Sequence, residues 1–155
     1  MPAFHPSVSW HGASPMTGMN GSIRSQQLDF HTLIESAAVV RRLIDELRPA
    51  GYSDKEMFGI RLALEEALVN AVKHGHRNDA SKTVRVRYEI CAKQFLIEIH
   101  DEGGGFDPDG VPDPRAPENL DRPGGRGVFL MRHYMSWVQY NEVGNAVTLC
   151  KVRDV

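Results

Sequence analysis

The sequence predicts an α/β (α+β) two-layer sandwich, in which one mixed or antiparallel sheet carries helices on one face. Three observations point there. Over residues 36–47, Ala37, Val40, Leu43, Ile44 and Leu47 recur at the spacing of an amphipathic helix. Val84, Val86, Tyr88 and Ile90 alternate with Arg85, Arg87 and Glu89, and Phe95, Ile97 and Ile99 alternate with Leu96, Glu98 and His100. Alternation of this kind marks antiparallel strands covered on one side. The 155 residues are enough for one full-sized core.

Residues 1–22 are rich in Gly, Pro, Ser, Met and His and follow no structural period, so they read as a disordered tail ahead of a domain at 23–155. A first strand is expected over 23–30. The helix at 36–47 is stopped by Pro49-Ala50-Gly51. Ser53-Asp54-Lys55-Glu56 is a capping box, and a second helix should run from it to about His74 or Gly75. Ala92-Lys93 turns the hairpin between the two alternating strands. Residues 101–125 hold many Gly and Pro and few large apolar side chains, as in a lid or binding loop. A third helix begins near Gly127, and strands at 136–141 and 146–152 close the sheet through Gly144-Asn145.

Composition narrows the function classes. A net charge of -2 gives no positive field for nucleic acid or an anionic membrane surface. No apolar stretch is long enough to span a bilayer. The first residues lack the basic and apolar runs of a secretion signal. The two cysteines, Cys91 and Cys150, read as free buried thiols. The expected location is the cytoplasm.

The second helix carries a misplaced polar stripe. Met57, Ile60, Ala63, Leu64, Ala67, Leu68, Ala71 and Val72 form a broad apolar face, and Phe58, Leu62 and Val69 extend it, so the helix is expected to be largely buried. Glu66, Asn70 and Lys73 lie along one narrow line of it. Buried polar groups must find partners. Either they pair locally, Glu66 with Lys73, or they line a cavity that holds a metal and a polar ligand. The Asn70 oxygen suits Mg²⁺, and Glu66, one turn away, is placed to accept a proton. Glu65 is about 100° off the stripe and should face solvent.

Two glycine clusters follow. Asp101-Glu102-Gly103-Gly104-Gly105-Phe106 comes directly after a strand, where a carboxylate can accept from a ligand amino group. Gly124-Gly125-Arg126-Gly127 opens the third helix, and bare amides at a helix N-terminus suit a phosphate.

Together these segments resemble the GHKL superfamily of ATPases and kinases, which share the Bergerat ATP-binding fold. The run from Glu66 to His74 resembles its N-box, Asp101-x-Gly103-x-Gly105 its DxGxG box, and the run from Gly125 to Met131 its second glycine box. The short chain and the segment Pro112-Asp113-Pro114…Pro117-Glu118-Asn119-Leu120 resemble the serine-protein kinase branch that acts as anti-sigma factors. The resemblance implies ATP and Mg²⁺. Asp101 would bind the adenine amino group, Asn70 would hold Mg²⁺, and Glu66 would be the general base toward a serine of a small antagonist protein. Gly103 and Gly105 would shape the adenine side, and Gly125 and Gly127 would meet the phosphates. Lys73, His74, Phe106 and Val128 would line the nucleotide. Arg126, ahead of Arg115 and Arg122, would steady the transferring phosphoryl group. The implied partners are that antagonist and a sigma factor, with a homodimer as the unit and the first strand at a sheet edge.

The chain departs from many relatives at Met135-Ser136-Trp137, where acidic residues are common, and at Asn145, where Thr is common. The first bears on the partner surface and the second on an adenine contact. His74, His76 and His100 fit no common zinc spacing. Two other readings stay open: an ATP-binding regulatory module without phosphoryl transfer, and a detached histidine-kinase ATPase domain.

Overall fold

Thr32, not Ser36, starts the first helix. Its backbone is extended and its Oγ1 accepts from the Glu35 N–H at 3.3 Å, so α1 runs over Leu33–Leu47. Thr32-x-x-Glu35 is a capping signal of the same kind as Ser53-x-x-Glu56. The buried face of α1 is Ser36, Val39, Val40, Leu43, Ile44 and Leu47. Ala37 is exposed. Ser36 takes its place because its Oγ donates to the Leu33 carbonyl at 2.6 Å, which satisfies the buried hydroxyl. The structure, a computed structural model, describes residues 24–105 and 126–154. The tail at 1–22 and the loop segment 106–125 lie outside the described residues.

Helix α2 (Asp54–Asn70) opens on the expected capping box, in which Ser53 Oγ accepts from the Glu56 N–H at 3.1 Å and Glu56 Oε1 from the Ser53 N–H at 3.0 Å. Met57, Ile60, Ala63, Leu64, Ala67 and Leu68 are buried. The helix is not buried all round. Phe58 is 58% exposed, and its ring meets Tyr134 edge-on. Beyond Asn70 the helix widens into a π-helical turn, Ala71–Gly75, closed by the His76 N–H on the Ala71 carbonyl at 3.1 Å. Arg77 and Asn78 then take positive φ, 51° and 59°, and lead the chain out of the turn.

The strands are β1 (Arg24–Phe30), β2 (Val84–Ile90), β3 (Gln94–His100), β4 (Trp137–Tyr140) and β5 (Ala146–Val152). They form a five-stranded sheet in the order β1-β2-β3-β5-β4, antiparallel at every pairing. Leu28, Val86, Ile99, Val147 and Tyr140 lie in register across it, as do Tyr88, Ile97, Leu149 and Val138 one step along. These rows share one core with α1, α2 and α3 (Arg126–Tyr134). The opposite face is not wholly polar. Leu96 pairs with Cys150 across β3 and β5, and the two are 3% and 1% exposed, so that face has an apolar row of its own. Both cysteines are free.

Glu56 does more than cap. Its Oε2 accepts from the Asp154 N–H at 2.8 Å, which ties the end of β5 to the start of α2. Burial works to raise its pKa, but the hydrogen bonds from Ser53 and Asp154 more than offset that and hold it below the usual carboxylate range. A folded pKa below the unfolded one gives stability that is present above the unfolded pKa and lost as pH falls through the folded value. Glu56→Ala is therefore expected to cost about 1 kcal/mol at neutral pH, or roughly 2–4 °C in Tm, and less in acid. Thermal melts across pH check this, and an equal loss at every pH would contradict it.

Candidate functional site

The α2 stripe and the start of α3 meet. Glu66 and Asn70 are half-buried on α2, and Glu65 is exposed. A Cβ on Gly127, in the first turn of α3, would lie 2.7 Å from Glu66 Oε2 and 3.2 Å from Asn70 Nδ2. The glycine thus lets a helix N-terminus lie directly on the stripe. Local pairing does not account for the stripe: with other described residues, Glu66, Asn70 and Lys73 form no side-chain hydrogen bond or ion pair. Lys73 is exposed, because the π-helical turn breaks the 3.6-residue register that placed it on the same line. His74 lies in that turn, Arg126 is the first residue of α3, and Val128 is buried. Phe106, Arg115, Arg122 and Gly125 lie outside the described residues.

A second group of residues gathers around Asp101, just past the end of β3. Its N–H donates to the Asn145 carbonyl at 2.9 Å, and its Oδ1 accepts from the Gly103 N–H at 2.7 Å. Burial raises its pKa, and the Gly103 hydrogen bond acts against that rise. The turn after it packs backbone to backbone. A Cβ on Gly103 would lie 2.2 Å from the Gly75 carbonyl oxygen, a distance no side chain tolerates. Gly105 has φ +83°, and a Cβ there would lie 1.8 Å from the Val143 carbonyl oxygen. Gly75 itself sits against the Asp101 carboxylate, 2.5 Å from its Cγ by the same measure. The π-helical turn therefore joins the two groups: Asn70 precedes it and Gly75, its last residue, abuts Asp101.

Gly75 and His76 belong to this site and were not assigned to it from sequence, whereas Asn145 was expected there only as a departure that bears on an adenine contact. His76 is buried and its Nε2 accepts from the Glu102 N–H at 2.6 Å. Asn145, the departure from Thr, braces Asp101 through its backbone carbonyl, while its Nδ2 approaches the Gly103 carbonyl at 3.5 Å and its Oδ1 accepts from Asn141 Nδ2 at 2.6 Å. Among the described residues no group of three His, Cys, Asp or Glu side chains gathers to hold a metal ion.

A family model described as the histidine kinase-like ATPase domain matches residues 30–151. The chain belongs to the histidine kinase-like ATPase family. Within that family it is similar to the serine-protein kinases RsbW of Staphylococcus aureus strains JH9, Newman and Mu3 / ATCC 700698. Each is 32% identical over 110 residues, which cover 66% of this chain and 69% of the relative. This places the chain in the GHKL superfamily, on the branch of the RsbW-like serine-protein kinases, and the antiparallel sheet with its helices is the α/β architecture of the histidine kinase-like ATPases. No described helix is long and apolar enough to cross a membrane.

The residues present fit a magnesium nucleotide. The stripe offers an uncommitted carboxylate and a carboxamide beneath a glycine-opened helix N-terminus, and Asp101 offers a partly buried carboxylate with Oδ2 uncommitted among the described residues. Gly127→Ala probes the first feature. The added methyl must push the Glu66 carboxylate aside, which a flexible side chain permits, so the fold should keep its Tm. Any chemistry that depends on the position of that carboxylate should fall by roughly 10–100-fold. Paired melts and activity assays check it, and full activity would mean that the Glu66 position does not matter.

Proposed function

We propose that the chain is an ATP- and Mg²⁺-dependent serine-protein kinase. It would phosphorylate a small antagonist protein and act as an anti-sigma factor when that protein is absent. The observation that carries this reading is the contact of Gly127 with Glu66 and Asn70, neither of which has a side-chain partner among the described residues. Similarity to RsbW, named a serine-protein kinase, supports the reaction class.

In this reading Asp101 accepts from the adenine amino group, and Gly103 and Gly105 let the backbone approach the base. Gly125, Gly127 and the α3 N-terminus meet the phosphates. Asn70 would hold Mg²⁺, which when bound neutralises charge on the β- and γ-phosphate oxygens. Glu66 takes the proton of the partner's serine hydroxyl. The serine oxygen bonds to the γ-phosphorus, the bond from that phosphorus to the β-phosphate oxygen breaks, and ADP leaves. Arg126 steadies the equatorial oxygens, and Lys73, His74, Phe106 and Val128 line the nucleotide. The working domain is residues 23–155, in the cytoplasm.

The unit is a homodimer. β1 is an edge of the sheet, and an edge strand needs cover. Light scattering at micromolar concentration is expected to give twice the chain mass, and a clean monomer would overturn the dimer.

The test of the whole reading is transfer of label from γ-labelled ATP to a serine of an antagonist protein from the same cell. Stable ATP binding without transfer to any such protein would favour the regulatory module instead.

A further inference from the structure

We propose that His76 is a positioning residue for adenine recognition: it fixes the peptide that aims Asp101 and thereby sets the preference for a purine carrying an amino group. The inference rests on Asp101 as the adenine acceptor.

His76 follows the π-helical turn and is 1% exposed. Its Nε2 accepts from the Glu102 N–H at 2.6 Å. A nitrogen that accepts carries no proton, so the ring proton sits on Nδ1. Nδ1 is buried without a hydrogen-bond partner among the described residues. A leucine or phenylalanine would fill this volume without burying an unpaired donor. What those residues lack is the Nε2 acceptor, so the acceptor explains why an imidazole stands here.

The bond acts on Asp101 through the backbone. The Glu102 N–H belongs to the peptide plane that follows the Asp101 Cα, and planarity fixes that plane once its N–H is held. The plane before the Asp101 Cα is held by the Asp101 N–H on the Asn145 carbonyl at 2.9 Å. Both planes flanking Asp101 are therefore pinned, and with them the direction of its Cα–Cβ bond. The Glu102 carboxylate accepts from the Thr83 N–H at 2.7 Å and ties the same residue to the start of β2. His76 is also continuous with the turn that follows Asn70, so the phosphate end and the base end of the site share this link.

The experiment measures binding of ATP and of purine riboside triphosphate, which lacks the amino group, by calorimetry. The wild type should prefer ATP by at least about tenfold. In His76→Gln the side-chain oxygen reaches the place of Nε2, and the preference should stay within about threefold of wild type. In His76→Asn the oxygen falls one bond short, and the preference should drop about tenfold through weaker ATP binding alone. Equal weakening of both nucleotides in His76→Asn, or no change, would overturn the inference while leaving the nucleotide site standing. A wild type without preference would overturn the Asp101 assignment and the inference with it. A ¹⁵N spectrum of histidine-labelled wild type needs no variant. It should show the His76 proton on Nδ1, and a proton on Nε2 would overturn the bond.

Discussion

Glu66→Gln is expected to keep ATP binding and to lose phosphoryl transfer by about 10²-fold or more. Gln has the shape of Glu but cannot take a proton. Glu66 makes no hydrogen bond or ion pair with another described residue, so the change should break no internal contact there, and Tm should hold. Gly127 still fits, because the contact is steric and its neighbouring atom becomes an amide nitrogen or oxygen of similar size. Single-turnover transfer to the antagonist protein, beside ATP affinity from calorimetry, separates the two effects. Full activity in the variant would move the base elsewhere, and Glu65 is the first residue to test, although it faces solvent.

Asp101→Asn is expected to weaken ATP binding by roughly 10–100-fold, the worth of a charge-assisted hydrogen bond of about 1.5–3 kcal/mol. The ATP-dependent rise in Tm should shrink accordingly, since only ligand bound to the native state stabilises it. The pH dependence has a definite sign. Burial raises the folded pKa of Asp101, so its own contribution to the stability of the free protein is present below the unfolded pKa and lost as pH rises through the folded value. Binding runs the other way. The carboxylate must be ionised to accept fully, so ATP affinity should fall as pH drops through the raised pKa, and this fall should be absent in Asp101→Asn. An ATP-dependent Tm rise unchanged by the substitution would remove Asp101 from the base site.

Most of the fold was legible because its signals are local. Ser53-x-x-Glu56 marked the start of α2, and the period-2 alternation marked β2 and β3 to within a residue. Thr32-x-x-Glu35 carried the same kind of signal, but the apolar repeat outweighed it and moved the expected start of α1 to residue 36. The π-helical turn left no trace in composition. Ala71-Val72-Lys73 reads as ordinary helix, and the exposure of Lys73 follows from a change of pitch that only the backbone reveals. The positions of Glu66 and Asn70 on one line of α2, and of Asp101 just past the end of β3, could be read from helical and strand spacing. Gly75 and His76 could not, and Asn145 only as a departure from Thr without its brace on Asp101, because these contacts depend on how the π turn, the β3 end and the β4–β5 hairpin come together. A histidine beside two others suggested a metal question, whereas the bond it makes is to a backbone N–H twenty-six residues away.

The most direct test is a crystal structure with Mg²⁺ and a non-hydrolysable ATP analogue. The account predicts the adenine amino group on the Asp101 carboxylate, the phosphates at Gly125 and Gly127, and Mg²⁺ on the Asn70 side-chain oxygen with Glu66 facing the γ-phosphate. A nucleotide bound elsewhere, or one whose base lies away from Asp101 while its phosphates miss the start of α3, would contradict it.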